Sequence, residues 1–295
     1  MNYQIVFEAL RLIPKGKVVS YKHLAHILGL KSARLVSFYL RKNRFEDRFV
    51  FPCYKVVKSD GTLADGYLFF GKQRQKEYLF KDGVVFSNNK VATECFYKFN
   101  SINRLYFVLL KRYGFPGPWP WFGKDRYSFD EIIISSVLTQ NTSWQNVEKS
   151  IALLRLKDAC NLRKIISLSE ASLSVLIRPS GFYTRKVKTL KALAYFILKN
   201  KMSYFKESDI RLVRKDLLSI WGVGPETADT ILLYGFDRLI FPIDSYTKRF
   251  VQTFLVRYAT DSYTNLQSLF HTKLAFDLDV YKNMHALITA WGKES

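Results

Sequence analysis

Between Leu217 and Gly235 the chain reads LLSIWGVGPETADTILLYG, two helix-patterned segments joined by Gly222-Val223-Gly224. Paired glycines let a backbone turn where a side chain would forbid it. The apolar positions on either side recur at about 3.6 residues, the helical period. This stretch therefore predicts two short helices folded back on each other. The same periodicity runs through IIISSVLTQ, WQNVEKSIALL, VKTLKALAYFIL, SYTKRFVQTFLV and KNMHALITAW. It predicts that the second part of the chain is all helix, about eight to ten helices in number.

The glycine hairpin has a chemical reading. Open backbone N–H groups at Gly222, Val223 and Gly224 can approach an anion. Thr227 begins the following helix, whose N-terminal dipole favours a phosphate. An ordinary αα-turn explains GVG alone. The longer pattern L-x-x-x-x-G-V-G-x-x-T-A is more specific and reads as a helix-hairpin-helix, a grip on a DNA backbone. Asp244 follows Gly224 by twenty residues, in FPIDSYTKRF, just before a helix that Ser245 can start. It is either a helix cap or a carboxylate that stabilises a sugar as it becomes an oxocarbenium ion.

Charge supports a nucleic-acid partner. The 295 residues carry a formal net charge of +21 with a pI near 9.8. A surplus of that size points to a polyanion, nucleic acid first and an anionic membrane surface second. Aromatic residues, at 16%, offer faces on which bases stack. No apolar run reaches the ~18 residues of a membrane span. Glu8 and Arg11 interrupt the N-terminal apolar stretch, which is no secretion signal. Cys53, Cys95 and Cys160 cannot build a disulfide framework or a four-thiolate site. No metal and no cofactor are expected. The expected location is the cytoplasm, or the nucleoid or nucleus.

Residues 1–90 hold 17 basic and 7 acidic residues and are about twice as dense in charge as the rest. Apolar spacing predicts helices over 3–13, 21–28 and 33–42, with Ser20 and Ser32 as caps of the second and third. Two short helices around a tight turn resemble a helix-turn-helix, with Arg34, Arg41 and Lys42 on the recognition helix. YKVVKSDGTLADGYLFF then reads as two strands around Asp60-Gly61, a wing. The polar stretch SNNKVATEC (87–95) reads as the connection. The expected domains are therefore 1–90, a linker at 91–97, and 98–295. The fold class is mainly α: a winged helix-turn-helix with a short hairpin, followed by an all-α domain.

On these motifs residues 98–295 resemble the helix-hairpin-helix DNA glycosylases of the endonuclease III superfamily. LTQNT (138–142), RPSGFYTRKVKTL (178–190) and YKNMHALITAWGK (281–293) add to the match, the last two toward the 3-methyladenine glycosylase branch. The resemblance implies that Gln140 fills the gap left by a flipped base and that Asp244 is catalytic. PGPWPWFGKD (117–126) resembles that branch's aromatic pocket, which places Trp119 or Trp121 opposite Trp144. Each tryptophan is equally explained as core. In lyase relatives the hairpin reads G-V-G-x-K-T-A, and the lysine forms a Schiff base with the sugar. Here that position is Glu226. Without the amine no imine forms, so base release without strand cleavage is expected. The cysteine cluster of many relatives has no counterpart.

Residues 3–86 resemble the DNA-binding domain of O6-alkylguanine-DNA alkyltransferases, through LIPKGKVVSYKHLA (12–25), SARLVSFYLRKN (32–43), FPCYKVV (51–57) and SDGTL (59–63). The family's Pro-Cys-His-Arg-Val is Pro52-Cys53-Tyr54-Lys55-Val56 here. By this resemblance Cys53 is the alkyl acceptor and Arg34 takes the flipped base's place in the stack. Tyr21 lies beside the target phosphate, and Asn43 matches the family's asparagine. Two departures bear on activity. The histidine that deprotonates the thiol is Tyr54, and Leu35, Phe38 and Tyr39 stand where the family prefers small residues. Asp82 aligns with the family's glutamate behind that histidine.

The expectation is a monomeric DNA-repair enzyme acting on double-stranded DNA that carries alkylated bases, with no membrane partner. A uracil or mismatch glycosylase on the same scaffold is the alternative. A damage sensor without catalysis is the reading from another class.

Overall fold

A computed structural model of the chain describes residues 3–42, 51–65, 71–116, 119–122 and 127–294. In chain order its first helices are α1 Gln4–Arg11, α2 Tyr21–Ile27, α3 Ala33–Leu40, α4 Gly71–Lys81 and α5 Ser101–Tyr113. There follow α6 Phe129–Leu138, α7 Trp144–Leu156, α8 Leu162–Ser167, α9 Glu170–Ile177, α10 Tyr183–Lys199 and α11 Met202–Glu207. The last are α12 Ile210–Ser219, α13 Pro225–Thr230, α14 Ser245–Phe254, α15 Tyr263–Lys273 and α16 Leu278–Glu294. The chain separates into two units, Met1–Phe115 with Ser268–Ser295, and Pro116–Gln267.

In the first unit α1, α2 and α3 fall within two residues of their expected bounds. Ser20 Oγ accepts the His23 N–H at 3.0 Å and so caps α2. Ser32 sits at the N-cap of α3, but its hydroxyl caps no N–H. Helices α2 and α3 pack on each other. The wing differs from expectation. β2 (Val56–Val57) pairs in parallel with β1 (Val19–Ser20), not with a strand after Gly61. Residues 58–62 form a turn, closed by Lys58 N–H to Thr62 O at 2.9 Å. The second expected strand falls partly on residues 66–70, outside the described residues.

The antiparallel hairpin lies further on, with β3 (Phe86–Ser87) against β4 (Lys90–Val91). Asn88 and Asn89 turn it with φ of 50° and 61°. Two consecutive left-handed asparagines are the signature of a type I′ turn, whose twist matches the strands. The expected linker is thus structured. Val91, Ala92 and Cys95 are buried with Val18, Val57 and Leu79. Val18 N–H donates to Cys95 O and Tyr97 N–H to Val18 O, both at 2.8 Å. The polar residues of 87–95 point outward, and three small apolar ones carry the packing.

Helices α5 and α16, expected with the second domain, count with the first unit. They pack against each other, and α5 packs on α1. Tyr106 on α5 donates to Glu8 Oε2 on α1 at 3.2 Å, and Arg11 reaches Asp279 Oδ2 on α16 at 2.8 Å. These contacts join residues far apart in sequence, which local periodicity cannot reveal.

The second unit is all helix among its described residues. Its core joins Ile133 and Val137 of α6, Leu190 and Leu193 of α10, and Ile231 and Leu232 after α13. Ser128 and Glu131 form a reciprocal capping box at the start of α6, and Arg155 Nε holds Glu131 at 2.6 Å. Among the described residues twelve α-helices follow Asn100, more than the eight to ten expected. The surplus includes α8, α11 and α13, six residues each, too short to display a period.

Candidate active site

The hairpin forms where the glycines predict it, between α12 and α13. Gly222 has φ +82°, and a Cβ there would lie 2.1 Å from Thr189 Oγ1, so no side chain fits. Val223 is buried and donates its N–H to Ile220 O at 3.0 Å. Gly222 stays exposed, and Gly224 caps α13 with Pro225 next to it. The turn thus offers backbone to a ligand while its valine anchors it in the core. Thr227 is buried in the first turn of α13.

Gln140 meets this hairpin. Its Nε2 donates to Gly222 O at 3.0 Å and to Thr227 Oγ1 at 2.9 Å. The residue expected to fill a gap in DNA is therefore docked on the glycine hairpin. Lys186 braces the same region from below. Its ammonium donates to Leu138 O at 2.9 Å and Ser180 O at 2.7 Å, and burial pushes it down to about 8. Between those contacts Phe182 stands 63% exposed in the left-handed region, φ +47°. A bulky aromatic held there is strained. Sequence reasoning passed over Lys186 and Phe182. The only signal was the aromatic directly after Gly181.

Asp244 caps α14, its Oδ1 accepting the Thr247 N–H at 2.6 Å. Capping and chemistry are compatible, since a carboxylate has a second oxygen. Two neighbours feel its charge. Burial raises Tyr234 well above its ordinary value, and Asp244 adds to the rise. Glu226, on the first turn of α13, keeps its side chain partly open to solvent. Loss of solvation first and Asp244 second push its carboxyl up to about 7, with Lys248 opposing them. Two carboxyls and one ammonium, from α13 and α14, thus share one electrostatic neighbourhood.

The aromatic pocket corrects one expectation. Trp121 meets Trp144 edge to face, with centroids 5.7 Å apart and planes at 85°. Trp119 meets Trp121 likewise, at 6.4 Å and 85°. Trp121 therefore touches Trp144 directly and leaves no slot between the two rings. The cause is the Trp121 indole N–H, which donates to Ser135 Oγ at 2.8 Å and fixes a buried ring in the core. Near-parallel rings are Tyr127 with Trp144 and Phe122 with Tyr234. Residues 117, 118 and 123–126 of this segment lie outside the described residues.

In the first unit Cys53 opens a 3-10 turn and is 7% exposed. Tyr54 OH donates to Asp82 Oδ1 at 3.3 Å. Burial, then Asp82, raise the phenol well above its ordinary value. Asp82 Oδ2 also accepts the Gly16 N–H at 2.9 Å and Lys55 Nζ at 3.1 Å. Lys55 is buried, its ammonium turned to Ile13 O, Pro14 O and Asp82. It therefore has a structural task. Tyr21 opens α2; burial raises its phenol, Cys53 adds to this and Arg41 opposes it. Arg34 and Arg41 are exposed at the two ends of α3. Asn43 lies outside the described residues.

Comparison with known proteins finds two family matches in separate parts of the chain. Residues 2–84 match the DNA binding domain of 6-O-methylguanine DNA methyltransferase, and residues 134–275 match the HhH-GPD superfamily of base excision DNA repair proteins. A protein of Methanocaldococcus jannaschii named as a DNA repair glycosylase is 42% identical over 195 residues, covering 65% of this chain and 86% of that one. A bifunctional methyltransferase/endonuclease of Picrophilus torridus is 35% identical over 105 residues, 35% of this chain and 34% of that protein. The crystal structure of the H. pylori 3-methyladenine DNA glycosylase bound to 1,N6-ethenoadenine superposes with a TM-score of 0.55. It is 27% identical and covers 66% of this chain and 98% of its own.

Proposed function

Since the chain belongs to the HhH-GPD superfamily of base excision DNA repair proteins, with a methyltransferase-type DNA-binding domain matched over residues 2–84, we propose that it is a monofunctional glycosylase for alkylated purines of the 3-methyladenine type. The observation that carries the reading is the glycine hairpin with Gln140 seated on it, together with Asp244 at the start of α14. Gly222, Gly224 and Thr227 hold the backbone phosphate; Val223, expected to share that task, has its N–H bonded to Ile220 O and anchors the turn instead. Gln140 leaves its seat on the hairpin to occupy the gap, and the flipped base rests against Trp119 and Trp144, with Trp121 buried behind them. Likeness to the H. pylori enzyme supports the alkylpurine. A base made cationic by alkylation is drawn to ring faces by about 0.5–2 kcal/mol.

The proton balance fits two carboxyls. A cationic base leaves as a neutral molecule when the C1′–N bond breaks and takes its electrons, so it needs no proton. The oxygen of water bonds to C1′ and releases one proton. Asp244 stabilises the positive sugar, and Glu226 accepts that proton. The acceptor must be ionised, so single-turnover release should rise with pH through about 7. Glu226→Gln should flatten the profile and cost about 10- to 100-fold at pH 8. An unchanged profile in the variant would remove Glu226 from the reaction.

The first domain is proposed to bind O6-alkylguanine in duplex DNA through Tyr21, Arg34, Arg41 and Asn43. Cys53 accepts the alkyl group slowly, once, without regeneration. A phenol raised by burial and hydrogen-bonded to Asp82 is a poor base near neutrality. Labelled methyl transfer is therefore expected to be slow in the wild type and absent in Cys53→Ala. In Tyr54→His, where Asp82 can orient the new imidazole, it should be at least about tenfold faster. Equal rates in wild type and Tyr54→His would contradict this. Both domains are on one chain, proposed to act as a monomer in the cytoplasm, nucleoid or nucleus. Among the described residues no helix is long and apolar enough to cross a membrane.

A further inference from the structure

Asp229 lies on α13, five residues past Gly224, and is fully buried. A buried carboxylate is costly unless donors surround it. Here Arg214 donates Nε to Oδ1 at 2.6 Å and a second N–H to Oδ2 at 3.1 Å. Tyr263 OH and Gln267 Nε2, both on α15, each donate to Oδ2 at 2.7 Å.

The two α15 side chains do a second thing. Tyr263 OH accepts the Ile243 N–H at 3.2 Å. Gln267 Nε2 also reaches Phe241 O at 2.8 Å. Phe241 and Ile243 are buried and directly precede Asp244. The segment that delivers Asp244 is thus bonded to α15, and α15 to the helix that begins at the hairpin. We propose that Tyr263 is a positioning residue, which with Asp229 sets the place of the Asp244 carboxylate relative to the phosphate-binding hairpin.

The reason lies in the substrate. In a nucleotide the phosphate and C1′ are a fixed number of bonds apart. A hairpin that holds the phosphate therefore dictates where the sugar lies, and Asp244 must meet it there. Errors near 1 Å in such alignments cost on the order of 100-fold in rate. The ordinary route between Gly224 and Asp244 is twenty residues of chain, too long to fix a distance. The relay Asp229–Tyr263–Ile243 shortens it to two hydrogen bonds. Burial, then Asp229, keep the phenol far above its ordinary value, so it stays a donor at every working pH.

This inference rests on Asp244 acting at the sugar, and its test separates the two. In the full chain, Tyr263→Phe keeps the ring and removes the hydroxyl. Single-turnover release from a 3-methyladenine duplex is expected to fall at least about 30-fold. Affinity for a duplex with a tetrahydrofuran abasic analogue should stay within about twofold, because the hairpin grip is intact. In an Asp244→Asn background the same change should cost less than about twofold, since a residue acting through Asp244 has nothing left to position. Gln267→Met, which spares the phenol, should show the same split with a smaller loss and serves where Tyr263→Phe fails to fold. Unchanged release in these variants, or an equal further loss on top of Asp244→Asn, would overturn the proposal. If the wild type releases uracil instead, the alkylpurine reading fails and the same ratios are read on a uracil duplex. Release of neither base overturns both.

Discussion

Asp244→Asn should lower base release by roughly 1,000-fold or more while the fold and lesion affinity stay intact. The substitution is unusually clean here. Asp244 caps α14 by accepting the Thr247 N–H at 2.6 Å, and asparagine is as good a cap as aspartate. Thermal stability is therefore expected to change little. What the variant loses is negative charge beside a sugar that becomes positive only in the transition state. An interaction made only there appears in kcat and not in binding. Full turnover by Asp244→Asn would return the residue to a helix cap and nothing more.

Binding to undamaged duplex should be tight and steeply salt-dependent. The net charge of +21 is spread over both parts of the chain, so several phosphates are contacted at once. Each neutralised phosphate releases counterions, and about five contacts give a log–log slope steeper than about −4. Raising salt from about 50 to 200 mM would then weaken binding by at least about 250-fold. Arg34 and Arg41 are exposed on α3, and replacing either with alanine should weaken binding and make the slope shallower by about one. A flat slope would argue against DNA as the partner of the basic surface.

The features readable in the sequence are those set within a few residues. Gly222 is required by its own φ and by Thr189, and the glycine pair announced the hairpin. Ser20 caps α2 as its position predicts. The Asp-Ser pair at 244–245 marks a helix start, and the structure has one there. What escaped was decided by tertiary contact. The stretch 87–95 looked like a tether because its apolar residues are few and small, yet Asn88-Asn89 was a hairpin signal in plain view. Lys55 follows Cys53 by two residues, yet its ammonium is held by Ile13 O, Pro14 O and Asp82, partners about 30 to 40 residues away. Trp121 was a candidate pocket wall until Ser135 turned its ring edge-on. The assignment of α5 and α16 to the first unit depends on partners such as Glu8 and Arg11, about 100 and 270 residues away.

The central claim is hydrolysis of an alkylpurine glycosidic bond by a chain whose hairpin carries Glu226 where a lyase carries lysine. The most direct test offers the full chain two duplexes, one with 3-methyladenine and one with uracil, and measures free base and strand breaks together. Faster release of 3-methyladenine, an intact strand until alkali is added, and no covalent adduct with borohydride are expected. Faster uracil release, a nicked strand before alkali, or stoichiometric borohydride trapping would contradict it.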